Sequence, residues 1–471
     1  MIDGLKRYPS MKDSGVPWLG AVPKHWEVLR LGALLRERGE TNDDNSTTEV
    51  LSVMRERGVI PYAEKGNVGN KKSEDITRYK IVRPNDIVVN CMNVIIGSVG
   101  LSDYTGCLSP VYYVLTRRSK ADDPHYLNAY FQTKPFQLSL VRIGNGILAH
   151  RMRIPMELLK CEPFPRPPAD EQAAIVRFLH HADRRIQRYI RAKRKLIKLL
   201  EEQKQATIHR AVTRSLDSNI KLKPSGVEWL GDMPEHWNLK RFKFLARVTS
   251  GQVDPRAPEQ RGKILIAPNH IKSGSGRISL EETAEGQGAD SGKYEVRRGQ
   301  VVYSKIRPNL RTAAIARVDC LCSADMYPLT VRESELRPEF LLLILLSVPF
   351  TRFVVDCSLR VAMPKVNREA LGEGWLWYPD LKEQDAILRS TQESTSPLDM
   401  AIGQAEREIA LVREYRTRLI ADVVTGKLDV REAAARLPEE AVEVEPLDEI
   451  DDLPQDDSVA EEPELEASDA V

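Results

Sequence analysis

Two stretches of the chain carry apolar positions at alternating steps of four and three. Ile175, Leu179, Ala182, Ile186, Tyr189, Lys193, Leu196 and Leu200 form the first stripe, and Leu398, Ile402, Ala405, Ile409, Val412, Arg416, Leu419 and Val423 the second. Such a stripe sets one helix face against a partner helix, and the two stripes are each other's obvious partners, folded back antiparallel. As one helix, residues 171–214 would span ~65 Å at 1.5 Å per residue. Residues 390–396 lack the stripe, so the second helix is expected to start late or to kink there, with Ser396 as cap and Pro397 in its first turn. Elsewhere the pattern is of short strand-like runs, such as Asp86–Asn90 and Gly299–Ser304, broken by Gly, Asn and Pro turn clusters. Pro163, Pro165, Pro167, Pro168 and later Pro379 mark the entries to the two helices.

The whole pattern is duplicated. KDSGVPWLGAVPKHW (Lys12–Trp26) recurs as KPSGVEWLGDMPEHW (Lys223–Trp237), identical at ten of 15 positions and offset by 211. Glu171-Gln172 with Ala174-Ile175 recurs 212 residues later as Glu383-Gln384 with Ala386-Ile387, and SPVYYVLT (Ser109–Thr116) is weakly repeated as SADMYPLT (Ser323–Thr330). Markers in one order at a near-constant offset mean two copies of a domain-plus-helix unit. The expected class is α+β, with two mixed domains of twisted sheets related by a pseudo-twofold axis and joined by two long antiparallel coiled-coil helices. The expected segments are a first domain at 1–165, a central helix at 166–220, a second domain at 221–378, a distal helix at 379–430 and a tail at 431–471.

Charge changes the picture once it is followed along the chain. The 471 residues hold 69 Lys+Arg and 68 Asp+Glu, a net charge of +1 that seems to exclude a polyanion partner. Fifteen of the acidic residues, however, lie between Pro438 and Val471, where there is no Lys or Arg; the remaining residues carry a surplus of 16 positive charges. Four prolines and no aromatic residue make that segment an expected disordered acidic tail, either simply solvating or competing with DNA for basic surfaces. The helices differ too. Residues 171–216 hold 12 Lys/Arg against 4 Asp/Glu, and 383–428 hold 6 against 8. The first helix is thus either an ordinary solvated coiled-coil face or a track for a phosphate backbone.

Several classes of chemistry lack their signatures. The longest apolar run, Phe340–Leu346, is far short of the ~20 residues of a membrane span, and the first residues have no signal-peptide core, so no membrane partner and a cytoplasmic location are expected. The six Cys form no CxxC pair and lie near no zinc-spaced His pair, so neither a disulfide framework nor a metal site is expected. No G-x-x-x-x-G-K-[ST] loop, adenine-methyltransferase motif or H-E-x-x-H site occurs, and no catalytic residue is expected on this chain.

The duplicated segments resemble the specificity subunit of type I restriction–modification systems. SGVPWLGAVPKHW and SGVEWLGDMPEHW are similar to the family's half-starts, PPADEQAAIVRFL and YPDLKEQDAIL to its helix entries, and AVTRSLD and VVTGKLD to its helix ends. LSVMRERGVIP (Leu51–Pro61) and YSKIRPNLRTAAI (Tyr303–Ile315) are similar to parts of its target-recognition domains, so the resemblance covers about residues 8–430. It implies two recognition domains that each read one half of a bipartite asymmetric DNA target, spaced by the helix pair. It also implies a chain without a catalytic centre or cofactor of its own. Two methyltransferase subunits would dock on the conserved regions and use S-adenosylmethionine. Two restriction subunits, where the system has them, would add ATP- and Mg-dependent translocation and cleavage. The rival readings are a fused restriction–methylation enzyme and a non-specific coiled-coil DNA-binding scaffold.

Side chains with fixed donor geometry read base edges, Arg for guanine and Asn for adenine, while Lys and Arg bind phosphates. The DNA-binding candidates in the first domain are Arg55 and Arg57, with Lys65, Asn67, Lys71 and Lys72 in the loop KGNVGNKK. Those in the second are Asn269, Lys272 and Arg277, with Lys305, Arg307, Asn309 and Arg311 in SKIRPNLR. Each could equally be a solvated surface residue or part of a turn. Trp18, Trp26, Trp229 and Trp237 recur at equivalent sites, as do Glu171, Gln172, Glu383 and Gln384. Identical residues should not read different base sequences, so these eight are assigned to core packing or to partner docking rather than to base stacking.

Overall fold

The duplicated opening folds the same way both times. In the computed structural model, which describes residues 5–438 apart from 56, 67–70, 147–151, 218 and 359–364, Met11–Asp13 pairs antiparallel with Ala21–Pro23, and Leu222–Pro224 with Asp232–Pro234. Each connecting loop turns on two left-handed glycines, Gly15 and Gly20 (φ 71° and 69°) and Gly226 and Gly231 (both 73°), a conformation that a Cβ would strain. The chain then runs extended. Glu27–Arg30 pairs with Pro163–Arg166, and Asn238–Arg241 with Trp375–Tyr378. Each opening is thereby stitched to the proline-marked segment that enters a long helix.

Between these anchors the two halves share little sequence but the same principal sheet. In the first, strands Leu35–Glu37, Tyr112–Arg117, Ile87–Asn90 and Val99–Leu101 lie in that order. In the second, Ala246–Val248, Met326–Val331, Val301–Ser304 and Ala313–Ile315 repeat it. The runs expected as strands are the inner strands 87–90 and 301–304, almost wholly buried. A helix with Pro in its first turn follows each sheet, Pro124–Phe131 and Pro338–Leu346. The second half adds another four-stranded sheet containing the parallel pair Leu265–Ile266 with Leu321–Cys322, where the first has only two-stranded pairs.

The central helix, Ala169–Arg214, has 46 residues, ~69 Å at 1.5 Å per residue, and the distal helix, Leu381–Val424, has 44. The chain forms two units, one of residues up to Arg191 with those from Glu408 onward, the other Ala192–Arg407, so each long helix contributes to both. In the first unit Asp183 pairs with Arg416 and Tyr189 with Glu408; in the second Lys204 pairs with Asp399, and Lys272 links Glu201 to Glu406. Partners on one helix descend as those on the other ascend, so the pairing is antiparallel within each unit.

Two helical expectations are corrected. The distal helix neither starts late nor breaks: it begins at Leu381 and carries Pro397 inside it. Its buried stripe persists through 384–395 in polar form, as Gln384, Ile387, Thr391 and Thr395. Pro397 faces outward, where its missing N–H and the carbonyl it leaves unpaired cost least. The central helix departs from its strict heptad. Tyr189 and Leu196 are 40% and 41% exposed, and the buried line runs instead through Ala182, Ile186, Ile190, Lys204 and Ile208. A straight helix of 3.6 residues per turn drifts away from a 3.5-residue stripe, and here residues 11 apart (182 and 204 are two such steps) take over.

Each core closes under an opening tryptophan. In the first unit Trp26, Tyr126, Tyr130, Phe136, Phe164 and Ile175 pack with Val423, Val424 and Val430 from the distal helix end. In the second, Trp237, Phe340, Phe350, Trp377 and Ile387 pack with Ala211 from the central helix end. The two ends of the described chain also meet in the first unit, where Asp429 N donates to Lys6 O at 2.8 Å. Among the described residues no single helix is long and apolar enough to cross a membrane; the apolar pair Pro338–Leu346 and Val348–Ser358, bent by 66°, lies in the second core.

Gly426 ends the distal helix at φ 76°, and a Cβ there would overlap Pro23 and stand 3.0 Å from the Trp26 ring. Gly426→Ala is therefore expected to destabilise the first unit by about 2 kcal/mol or more. Urea unfolding followed by hydrogen exchange of residues 8–30 checks this.

Candidate nucleic-acid interface

The repeated Glu-Gln pair builds one cluster at the start of each long helix. Glu171 lies in the first turn of the central helix, where unpaired N–H groups and the helix dipole favour a carboxylate. Its Oε1 accepts from Trp26 Nε1 at 2.9 Å and from the Tyr8 hydroxyl, and its Oε2 pairs with His25 Nε2 at 2.7 Å. Glu383 repeats this on the distal helix, accepting from Trp237 Nε1 at 3.0 Å and the Ser215 hydroxyl at 2.5 Å, with His236 Nε2 at 2.7 Å. The glutamines face the other way. Gln172 Oε1 accepts from Asp123 N at 2.8 Å while its amide donates to Pro167 O at 3.0 Å; Gln384 accepts from Arg337 N at 2.8 Å and donates to Pro379 O at 2.9 Å. Each pair thus clamps its helix to the opening segment on one side and to the post-sheet helix on the other.

The clusters differ in depth. The Glu171 side chain is 3% accessible and that of Glu383 23%. Burial, and then the bond to Glu171, push the Tyr8 phenol well above its ordinary pKa, and the Arg431 guanidinium lies 5.2 Å over its ring. Trp18 packs beside Tyr130 and Phe136, with its Nε1 buried and unpartnered among the described residues, while Trp229 stacks on Phe353 at 5.2 Å. All eight recurring residues, read from sequence as packing or docking groups, make their contacts inside their own chain. Tyr8 and Ser215 were missed as members of these clusters, because neither belongs to a repeated motif.

The DNA candidates fall into two groups. In the first unit Arg55 and Arg57 are exposed at the turn between strands Leu51–Met54 and Gly58–Pro61. Arg57 donates to Glu64 O at 3.2 Å, and Lys65 lies 5.0 Å over the Tyr62 ring. Lys71 and Lys72 are exposed, and Asn67 lies outside the described residues. In the second unit Asn269, Arg307 and Asn309 are exposed, the last two around a turn that Arg307 enters at φ 48°.

Lys272, Arg277 and Arg311 are engaged elsewhere. Lys272 and Arg277 face each other across the hairpin Ile271–Lys272 with Arg277–Ile278. Lys272 pairs with Glu201 at 3.1 Å and Glu406 at 3.0 Å, and Arg277 with Asp399 at 2.6 Å. Arg311 donates to Gln205 Oε1 at 3.0 Å, and Gln205 donates on to Gly274 O at 2.7 Å. These three hold the second domain to the helix pair rather than presenting free cations. Lys305 is paired with Asp325 at 3.7 Å. Among the described residues, no group of three or more His, Cys, Asp or Glu side chains could hold a metal ion.

No protein-family model matches the chain. It is 33% identical over 199 residues to the type I restriction enzyme EcoDI specificity subunit of Escherichia coli, a match covering 42% of this chain and 44% of that protein, so it spans less than half the length of that curated relative. In fold it is similar to a chain in a solved structure of a type I R-M system, concerned with complex assembly and conformational transition, with a TM-score of 0.57 at 14% identity over 86% of this chain and 98% of that one. The crystal structure of the HsdS subunit from Thermoanaerobacter tengcongensis superposes more loosely, with a TM-score of 0.40 at 16% identity over 86% and 96% of the two chains. The likeness to type I specificity subunits, legible in the duplicated motifs, is borne out by these matches.

Glu171→Ala strands three donors in a dry site and is expected to cost about 3 kcal/mol, whereas Glu383→Ala, where solvent can enter, should cost about 1 kcal/mol. Hydrogen exchange should accelerate over residues 8–30 in the first variant and over 222–241 in the second. Equal effects would contradict the difference in burial.

Proposed function

We infer that this chain is the DNA-specificity subunit of a type I restriction–modification system, reading a bipartite asymmetric target with one recognition domain per half. One observation carries the reading. The same four-stranded order is set on the same Glu-Gln clamp twice, while the segments holding the exposed cations differ in sequence. A constant frame with two different faces is what two unlike half-sites require. Arg55, Arg57, Lys65, Lys71 and Lys72 would serve one half, and Asn269, Arg307 and Asn309 the other. Lys and Arg supply salt-dependent affinity to phosphates, and Arg and Asn supply base-edge selection.

The long helices act as the spacer. The chain performs no chemistry itself; two methyltransferase subunits dock on it with S-adenosylmethionine, and in systems that also cut, two restriction subunits bring ATP and Mg. Its role is to decide where those subunits act. This makes it neither a fused restriction–methylation enzyme nor a scaffold without sequence preference. Both alternatives fail if the purified chain alone does not methylate and if it prefers one duplex over random competitors at a stated salt concentration.

Removing one helical turn from both long helices shortens the spacer by ~5.4 Å, against ~3.4 Å per base pair, so the preferred gap should shrink by one to two base pairs. Mapping modified adenines in cells co-expressing the methyltransferase subunits reads this directly, and an unchanged gap would refute the ruler. Exchanging residues 240–375 for those of a relative should change one half of the target only. Loss of both halves would refute modular reading.

A further inference from the structure

The acidic end of the chain leaves the described structure at a basic surface. Arg177 donates to the carbonyl of Leu437 at 2.5 Å, and Glu439 and Glu440 follow directly after Pro438. Arg177 also begins a stripe along the central helix. His181, Arg184, Arg188 and Arg191 follow it at steps of four, three, four and three, with Arg185 alongside. All five arginines are exposed, while Ala182, Ile186 and Ile190 on another face of the same helix are buried. The one carboxylate between positions 177 and 191, Asp183, is paired with Arg416. His181 reports the local field: burial first, then Arg185, Arg184 and Arg188, hold its pKa below the ordinary value.

We propose that this arginine stripe is the docking surface for the acidic segment 439–469 of the same chain, which competes there with the phosphate backbone of DNA. The charges are complementary, five arginines against fifteen carboxylates with no intervening cation. The reach is sufficient: the stripe is ~21 Å long, a distance that about seven residues cover when extended. Tethering at Leu437 makes the contact intramolecular, with an effective concentration of order mM. A duplex gains affinity by releasing counterions from its phosphates, and it gains less at a surface already neutralised. The tail therefore lowers sequence-independent binding and leaves base-edge selection untouched. The competition rests on the DNA-reading function; the docking does not.

The two are separated with a full-length chain whose fifteen tail carboxylates are changed to amides (Glu→Gln, Asp→Asn). A fluorescent peptide of residues 439–471 should bind this chain at about 50 mM salt and be released by about 300 mM. Adding R177Q/R184Q/R188Q should weaken that binding roughly 10-fold, and the unaltered chain, its stripe already occupied, should bind the peptide at least about 5-fold more weakly. On a random duplex of about 30 base pairs the amide-tailed chain should bind about 5-fold tighter than the unaltered chain at low salt, with the advantage vanishing as salt rises. No peptide binding, or equal binding with and without the three arginines, overturns the docking. Equal duplex affinity of the two chains overturns the competition. Peptide binding with no duplex binding by either chain supports the docking and removes the DNA-reading function instead.

Discussion

A buried carboxylate at the first turn of a long helix is the interaction on which each half of this protein depends. Glu171 and Glu383 each gather an indole N–H, a hydroxyl and an imidazole from segments remote in sequence. A carboxylate suits that place because it completes the helix terminus and still has lone pairs for three donors. The adjacent glutamine turns the same helical residue step to a second purpose, holding the start of the post-sheet helix. Without the pair, a rod of more than 40 residues would meet its domain through apolar contact alone, which fixes proximity better than direction.

The same clamp serves both halves because its parts are separable from the surface it supports. The four-stranded order, the opening hairpin and the clamp repeat, whereas the hairpins and loops outside them do not. A variable surface is tolerable only on such a frame, since changes in exposed loops leave the buried bonds intact. The halves are not equivalent in strength. The first draws in Tyr8, Asp429 and Arg431 and is nearly dry, while the second uses Ser215 and stays partly open.

Electrostatics in the second unit serves geometry as much as ligand binding. Lys204 and Arg277 share Asp399, and Lys272 bridges carboxylates on both long helices. Several such pairs in a network define an orientation more firmly than an isolated surface pair does, although each alone contributes little stability. A cation-rich loop is therefore no guide to nucleic-acid contact until its acidic partners are located.

Periodicity and duplication made much of the architecture legible beforehand: the two copies, the antiparallel helices, the inner strands 87–90 and 301–304, and the boundaries marked by proline. These are local or repeated signals, carried by residues near one another or copied at one offset. The distal stripe from Leu398 to Val423 was readable for that reason, and the polar stretch before it was misread because Thr391 and Thr395 are buried without being apolar. The central helix drifted from its heptad because helical twist, absent from a list of spacings, decides which residues face inward. The rest was settled only by tertiary structure. That Lys272 meets Glu406, or Tyr8 meets Glu171, depends on pairs separated by 134 and 163 positions with no shared pattern. Sequence alone determined which residues could carry charge and which could form helices; the fold decided which charges were already neutralised, because a Coulomb interaction depends on distance in space and not on distance along the chain.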